Sequence, residues 1–279
     1  MMVTPHAFQG AGVTLAADLH EPQGGVRGTL LFLHGGGQTR HSWGRAAGSF
    51  AENGWQSWTL DLRGHGDSQW APDGAYDLDD YVGDLLRVIE QLGSAPVLIG
   101  ASLGGITSLV AAGEHPDIAR GLVLVDIAPR IEPEGAKHIQ DFMSANPDGF
   151  ASLEEVADAV QAYTLHRARP RNLEGLKKNV RLRENGRWYW HWDPAFLRIS
   201  DEPSRRARVD RLMAAARRVT VPTMLVRGSE SDVVSPEGAD ELRELIPGAR
   251  VVEAKAGHMV AGDDNAVFVG QVGEFLESV

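Results

Sequence analysis

Val97-Leu98-Ile99-Gly100-Ala101-Ser102-Leu103-Gly104-Gly105-Ile106 decides how the rest of the chain reads. A short apolar run is followed by a tight turn and then by the start of a helix. Ser102 stands at the apex, with Gly100 and Gly104 two positions to either side, giving G-x-S-x-G. A serine held in a sharp strand-to-helix turn is strained, and side chains beside it would meet the crossing chain, so glycine is needed there. The turn lifts the hydroxyl out of the sheet and sets it at a helix N-terminus, where free N–H groups and the helix dipole favour negative charge. A nucleophile attacking a carbonyl requires those surroundings. The competing reading is a dinucleotide-binding turn. The G-x-G-x-x-G spacing is absent, however, and no Tyr-x-x-x-Lys occurs in the chain.

Working outward, the 279 residues suit one large domain, or a core with an inserted subdomain. At 43% hydrophobic and 23% charged the composition is that of an ordinary globular enzyme. Cysteine is absent, which removes disulfides, thiolate metal sites and a cysteine nucleophile. Met1 to Gly10 lacks the basic and apolar regions of a secretory signal, and no apolar run approaches a membrane span, so a cytoplasmic protein is expected. A net charge of −11 makes nucleic acid a poor partner. The charge is uneven: residues 129–218 carry 17 Lys/Arg against 13 Asp/Glu, and the remainder 10 against 25.

That shift coincides with a break in rhythm. Before it, TLLFL (29–33), the strand from Gln56 to Leu62, VLIG (97–100) and GLVLV (121–125) read as buried strands. They are interleaved with helices at Trp43–Asn53, Asp77–Leu92 and after Ser102. After the break, TMLV (223–226), a helix at 236–245, a strand at 249–253 and a helix at 265–276 restore the alternation. Alternating strands and helices predict a mostly parallel sheet covered on both faces. The expected domains are a core at 1–128 and 219–279, with a helical cap at 129–218 rich in arginine and carrying Trp188-Tyr189-Trp190-His191-Trp192.

A serine hydroxyl needs a base, and the base needs an orienting acid. Of the five histidines after Ser102 (His115, His138, His166, His191 and His258), only His258 follows an expected core strand, in the loop Ala256-Gly257-His258-Met259. The acid should follow a strand too. Asp232, after TMLVRG, is the choice, with Glu230 beside it; Asp126, at the end of GLVLV, is the alternative. The two oxyanion donors should be the N–H of Leu103 and a loop N–H after TLLFL, that of Gly36. His34 reads as a loop anchor. Asp61, Arg63 and His65 read as a structural turn, since the ligand set around His65 is too thin for a metal.

HGGG at 34–37, DLRGHGDS at 61–68, GASLGG at 100–105, Asp232 and His258 together resemble the α/β-hydrolase superfamily over the whole chain except the cap. The resemblance implies an α/β-hydrolase fold, with a mostly parallel sheet wrapped by helices and an inserted α-helical cap. It also implies Ser102 as nucleophile, His258 as base, Asp232 as acid, Gly36 and Leu103 as oxyanion donors, and no cofactor or metal. Serine at 102 disfavours the branches that use aspartate there. The expected activity is carboxylic-ester hydrolysis on a small-molecule ester, by a monomer or homodimer without nucleic-acid or membrane partners. Perhydrolase, lactonase and carbon–carbon bond hydrolase activities, or a non-catalytic binding protein, stay open. Trp43 and Trp190 are the expected substrate contacts, although Trp188, Trp190 and Trp192 alternate as packing residues would.

Overall fold

The computed structural model describes residues 2–163, 172–197, 202–258, 260 and 265–279. Eight strands form the main sheet: β1 (Val3–Gln9), β2 (Thr14–His20), β3 (Gly28–Leu33), β4 (Trp55–Leu60), β5 (Val97–Ala101), β6 (Gly121–Val125), β9 (Thr223–Gly228) and β10 (Arg250–Ala254). Their order is β1-β2-β4-β3-β5-β6-β9-β10. β1 and β2 run antiparallel to their neighbours, and every pairing from β4 to β10 is parallel.

The period of two along each strand divides the core. Leu31, Leu33, Leu98, Leu122 and Leu124 face one side. There they pack under α2 (Leu78–Leu92), α3 (Leu103–Glu114), α6 (Glu202–Ala216) and α7 (Pro236–Leu245). Leu30, Phe32, Ile99, Val123 and Val125 face the other, against α1 (Gly44–Glu52) and the C-terminal helix Asn265–Leu276. Central strands buried on both faces must be apolar throughout, which is why TLLFL and GLVLV read as continuous runs. α2 starts where Asp80 accepts the backbone N–H of Asp77 at 2.8 Å and stops at Gly93, whose φ of 71° is left-handed.

Between β6 and α6 lie α4 (Pro133–Ser144), α5 (Leu153–Tyr163) and a small antiparallel hairpin, β7 (Val180–Leu182) and β8 (Trp188–Trp190). The hairpin was not expected in a stretch read as helical. Its turn is Glu184-Asn185-Gly186, with Gly186 at φ 76° and Arg183 N–H donating to Arg187 O at 3.0 Å, a three-residue connection closed by a left-handed glycine. These elements share an apolar cluster that includes Met143, Phe150, Val156, Leu176, Trp190 and Trp192. α6 behaves differently. Leu212, Ala215 and Ala216 join the main core, and α6 lies so close to α3 that a Cβ on Gly113 would sit 2.2 Å from Ala215 O. The last part of the expected 129–218 insert therefore packs as a helix of the core.

Candidate active site

β5 and α3 cross at Ser102. A Cβ on Gly100 would lie 2.4 Å from Gly104 O, and one on Gly104 would lie 2.4 Å from Leu33 O. Both glycines are thus dictated by backbone meeting backbone. Ser102 itself is held at φ 44°, ψ −113°, conformational strain fixed by its surroundings. Its N–H donates to Val125 O at 3.4 Å, and Gly104 N–H donates to His34 O at 3.1 Å, tying the turn to the ends of β6 and β3.

His258 follows β10 and turns Nδ1 to Asp126, donating to Oδ2 at 2.7 Å. Asp126 ends β6, is fully buried, and sits at φ 47°. Its Oδ1 accepts Gly228 N–H at 2.8 Å, and its Oδ2 also accepts the Ser231 hydroxyl at 2.5 Å. That hydroxyl in turn accepts the N–H groups of Val233 and Val234, each at 3.1 Å. A buried carboxylate with donors this complete is fixed in direction.

The choice of Asp232 is therefore corrected. Asp232 stands exposed on the loop after β9, its Oδ2 3.3 Å from Nδ1 of His138 on α4. α4 itself blocks that loop, since a Cβ on Gly135 would lie 2.1 Å from Asp232 O. The loop's contribution to the histidine site is Ser231, which steadies Asp126. Glu230 is exposed too, with its N–H on Ala256 O at 3.0 Å. His166 and Met259 lie outside the described residues.

The glycine loop after β3 is shaped by His34. This ring is fully buried, takes Leu62 N–H on Nε2 at 3.0 Å and donates from Nδ1 to Gly35 O at 2.7 Å. Burial holds its pKa down to about 4, so it is neutral with the proton on Nδ1. Gly35 N–H is occupied by the Gln38 side-chain oxygen at 3.1 Å. No acceptor among the described residues takes the N–H of Gly36 or Leu103.

Two more buried histidines continue from His34. His65 donates from Nδ1 to Arg63 O at 2.9 Å, and burial pushes its pKa to about 3. His191, from the residues just after β8, takes Gly66 N–H on Nδ1 at 2.7 Å and donates from Nε2 to Gly37 O at 3.2 Å. Burial lowers its pKa as well. Ring centroids are 5.2 Å apart between His34 and His65 and 5.8 Å between His65 and His191. All three are neutral struts joining the glycine loop, the Arg63–Asp67 turn and the insert. Arg63 is a strut too, forking onto Asp84 at 2.7 and 2.8 Å. Arg40 joins Asp61, Asp67 and Asp18, and Arg181 of β7 reaches Asp67 at 2.6 Å and Gly66 O at 2.9 Å.

Ser102, Leu103, Gly36 and His258 open on one cavity of about 470 Å³. Its far wall is aromatic. Trp190 stacks on Trp192 with ring centroids 4.9 Å apart, and Phe142 stacks on Tyr163 at 4.2 Å. Phe196 and Met143 line it as well. Trp190 lines the cavity and also packs the insert. Trp43 does not. It is buried 5.4 Å from Phe32 and 5.6 Å from Phe268, under the sheet face away from the cavity. Its position beside the glycine loop in the chain was misleading, because the 3₁₀ turn Arg40–Trp43 points its last residue inward. Trp192 shared the alternation of Trp190, whereas no pattern in the sequence singled out Phe142, Met143, Tyr163 or Phe196.

Among the described residues no group of three or more His, Asp or Glu is placed to hold a metal ion, and no helix is long and apolar enough to cross a membrane. Comparison with known proteins shows what the chain is similar to. The esterase Rv0045c of Mycobacterium tuberculosis is 31% identical over 91% of this chain and 85% of its own. Its crystal structure superimposes with a TM-score of 0.76 at 27% identity, covering 99% of this chain and 92% of that one. The sn-1-specific diacylglycerol lipase ABHD11 of Mus musculus is 29% identical over 88% of this chain and 80% of its own. The family model for the alpha/beta hydrolase fold matches residues 28–264. With its parallel sheet, its strained serine turn and that match, the chain belongs to the alpha/beta hydrolase family.

Proposed function

We propose that this protein is a serine hydrolase that cleaves carboxylic esters through an acyl-serine intermediate, with Asp126 as the acid of its triad. The single observation that carries the reading is the fully buried Asp126 holding His258 Nδ1 at 2.7 Å while Ser102 and His258 line the same cavity. With Nδ1 committed to Asp126, Nε2 is the nitrogen available to the serine.

Ser102 Oγ attacks the ester carbonyl carbon as its proton passes to His258 Nε2. Negative charge develops on the carbonyl oxygen, and the N–H groups of Gly36 and Leu103 receive it. The carbon–oxygen bond to the alcohol breaks, and His258 returns the proton to the leaving oxygen. Water then gives a proton to His258 and attacks the acyl-serine, releasing the acid and restoring Ser102. Asp126 holds the imidazole in place through its bond to Nδ1 and stabilises the imidazolium.

The aromatic lining favours an apolar acyl group. The names of relatives, an esterase and a lipase, support ester cleavage. The elements between β6 and α6 serve as a cap over the serine. The test is initial rates on p-nitrophenyl butyrate for wild type and Ser102→Ala, with fluorophosphonate labelling beside them. Turnover and labelling that both vanish in the variant support the reading. A variant that keeps substantial turnover, or a wild type that neither turns over nor labels, sinks it.

A further inference from the structure

A second cavity, of about 640 Å³, lies directly beside the first. Both are lined by Leu103, Ile106, Ile139, Met143, Phe196 and Arg208, so these residues form the partition between them. Neither Ser102 nor His258 lines the second cavity. The two differ in chemistry. The catalytic cavity is walled by stacked aromatics, and the second adds Asp73, Asp77, Gln140 and the rings of Tyr76 and Tyr81. Tyr81 is 2% exposed and its hydroxyl has no hydrogen-bond partner among the described residues.

Phe196 is the part of the partition that reaches the chemistry. A Cβ built on Gly36, the proposed oxyanion donor, would lie 3.2 Å from its Cζ. Its ring stands edge-on to His65 at 4.8 Å between centroids and also meets Tyr76 and Tyr81, at 6.3 and 6.5 Å. The ring is held from behind. Phe196 N–H donates to Asp193 O at 3.0 Å, Ala195 N–H donates to Asp193 Oδ1 at 2.9 Å, and the Tyr76 hydroxyl donates to Asp193 Oδ2 at 2.6 Å. Asp193 N–H is itself tied to Gly64 O at 2.9 Å. A side chain fixed to the core in this way is a wall.

We propose that Phe196 sets the substrate size limit. It confines the acyl group of the ester to the cavity of about 470 Å³ and closes off a space of about 640 Å³ that would otherwise be continuous with it. The proposal rests on the ester-hydrolase reading and adds the residue that decides acyl length. Removing the ring should open a passage from the acyl-serine toward the second cavity, between the other residues that line both. Each methylene a pocket cannot accept costs about tenfold or more in kcat/KM, so the effect of removal grows with chain length.

The experiment measures kcat/KM on p-nitrophenyl butyrate, octanoate and dodecanoate for wild type, Phe196→Leu and Phe196→Ala, with the rate of fluorophosphonate labelling of Ser102 in each. The wild type should fall steeply from butyrate to dodecanoate. Phe196→Ala should raise the dodecanoate-to-butyrate ratio by about tenfold or more, Phe196→Leu should fall between, and both should still label at Ser102. A purely structural role would lower all three esters together and leave the ratio unmoved. An unmoved ratio in variants that still label overturns the wall alone. So does a wild type that already takes dodecanoate as well as butyrate. A wild type that hydrolyses none of the esters overturns the reading beneath it. Phe196→Leu conserves most of the apolar contact, so the ratio can be read even where the alanine variant folds poorly.

Discussion

Asp126 and His258 meet at 2.7 Å although 132 residues separate them, because both lie at the C-terminal edge of the parallel sheet, on the turns that follow β6 and β10. Each oxygen of Asp126 also accepts a loop donor, Gly228 N–H on Oδ1 and the Ser231 hydroxyl on Oδ2. The amide in Asp126→Asn would present an N–H where the histidine now donates, forcing the wrong tautomer. By analogy with other serine hydrolases kcat should fall about 10³- to 10⁴-fold. Asp232→Asn, on the exposed loop, should stay within about twofold of wild type. Steady-state kinetics on one ester for both variants checks the assignment; equal losses would contradict it.

Gly104 and Gly270 separate crowding from flexibility. Gly104→Ala would drive a methyl into Leu33 O, whereas a Cβ at Gly270 in the C-terminal helix meets nothing. Gly104→Ala is expected to destabilise by more than about 3 kcal/mol, as overpacking against immovable backbone does. Gly270→Ala should stabilise by about 0.5–1 kcal/mol through helix propensity. Urea unfolding midpoints of the two variants give the comparison.

Trp43 and Trp190 looked alike in sequence and should behave differently. Trp43→Ala removes a ring packed between Phe32 and Phe268, and about 3–5 kcal/mol of stability should go with it. The relative rates on short and long esters should not change. Trp190→Ala should alter those relative rates, because its ring faces the cavity. Thermal melts and an ester series on both variants test this.

The buried histidines set an acid limit on stability. His34 and His65 stay neutral down to about pH 4 and 3, and His191 is lowered as well, while the same rings in the unfolded chain take up protons below pH 6.5. The unfolded state therefore binds more protons between those limits, and stability falls as pH drops from 6.5 towards 4. Each ring contributes up to about 1.4 kcal/mol per pH unit there. Unfolding free energies at pH 7, 6 and 5 should show the decline, and a His191→Gln variant should show a shallower one.

Much of this was readable from residues. Runs such as GLVLV marked buried strands because both faces of a central parallel strand are covered, and Gly100 and Gly104 marked the turn because backbone contact leaves room for nothing else. The partner of His258 was not readable to the same degree. Asp126 and Asp232 each follow an apolar strand, and what separates them is burial and the donors Gly228, Ser231 and His258, all arriving from elsewhere in the chain. The same holds for Phe196. Its place on the partition depends on Asp193 being pinned to Gly64 and Tyr76, contacts with no periodicity to announce them.

The hairpin of β7 and β8 carries one more implication, for anyone exchanging parts between relatives. Arg181 and His191 bolt it to Asp67, Gly66 and Gly37, the last of these within the glycine loop itself. A graft that brings in a foreign substrate roof between β6 and α6 would take those bolts away and slacken the loop beneath. Transplants that retain Arg181 and His191 should keep a working oxyanion site, so the practical splice points fall on either side of the hairpin and never through it.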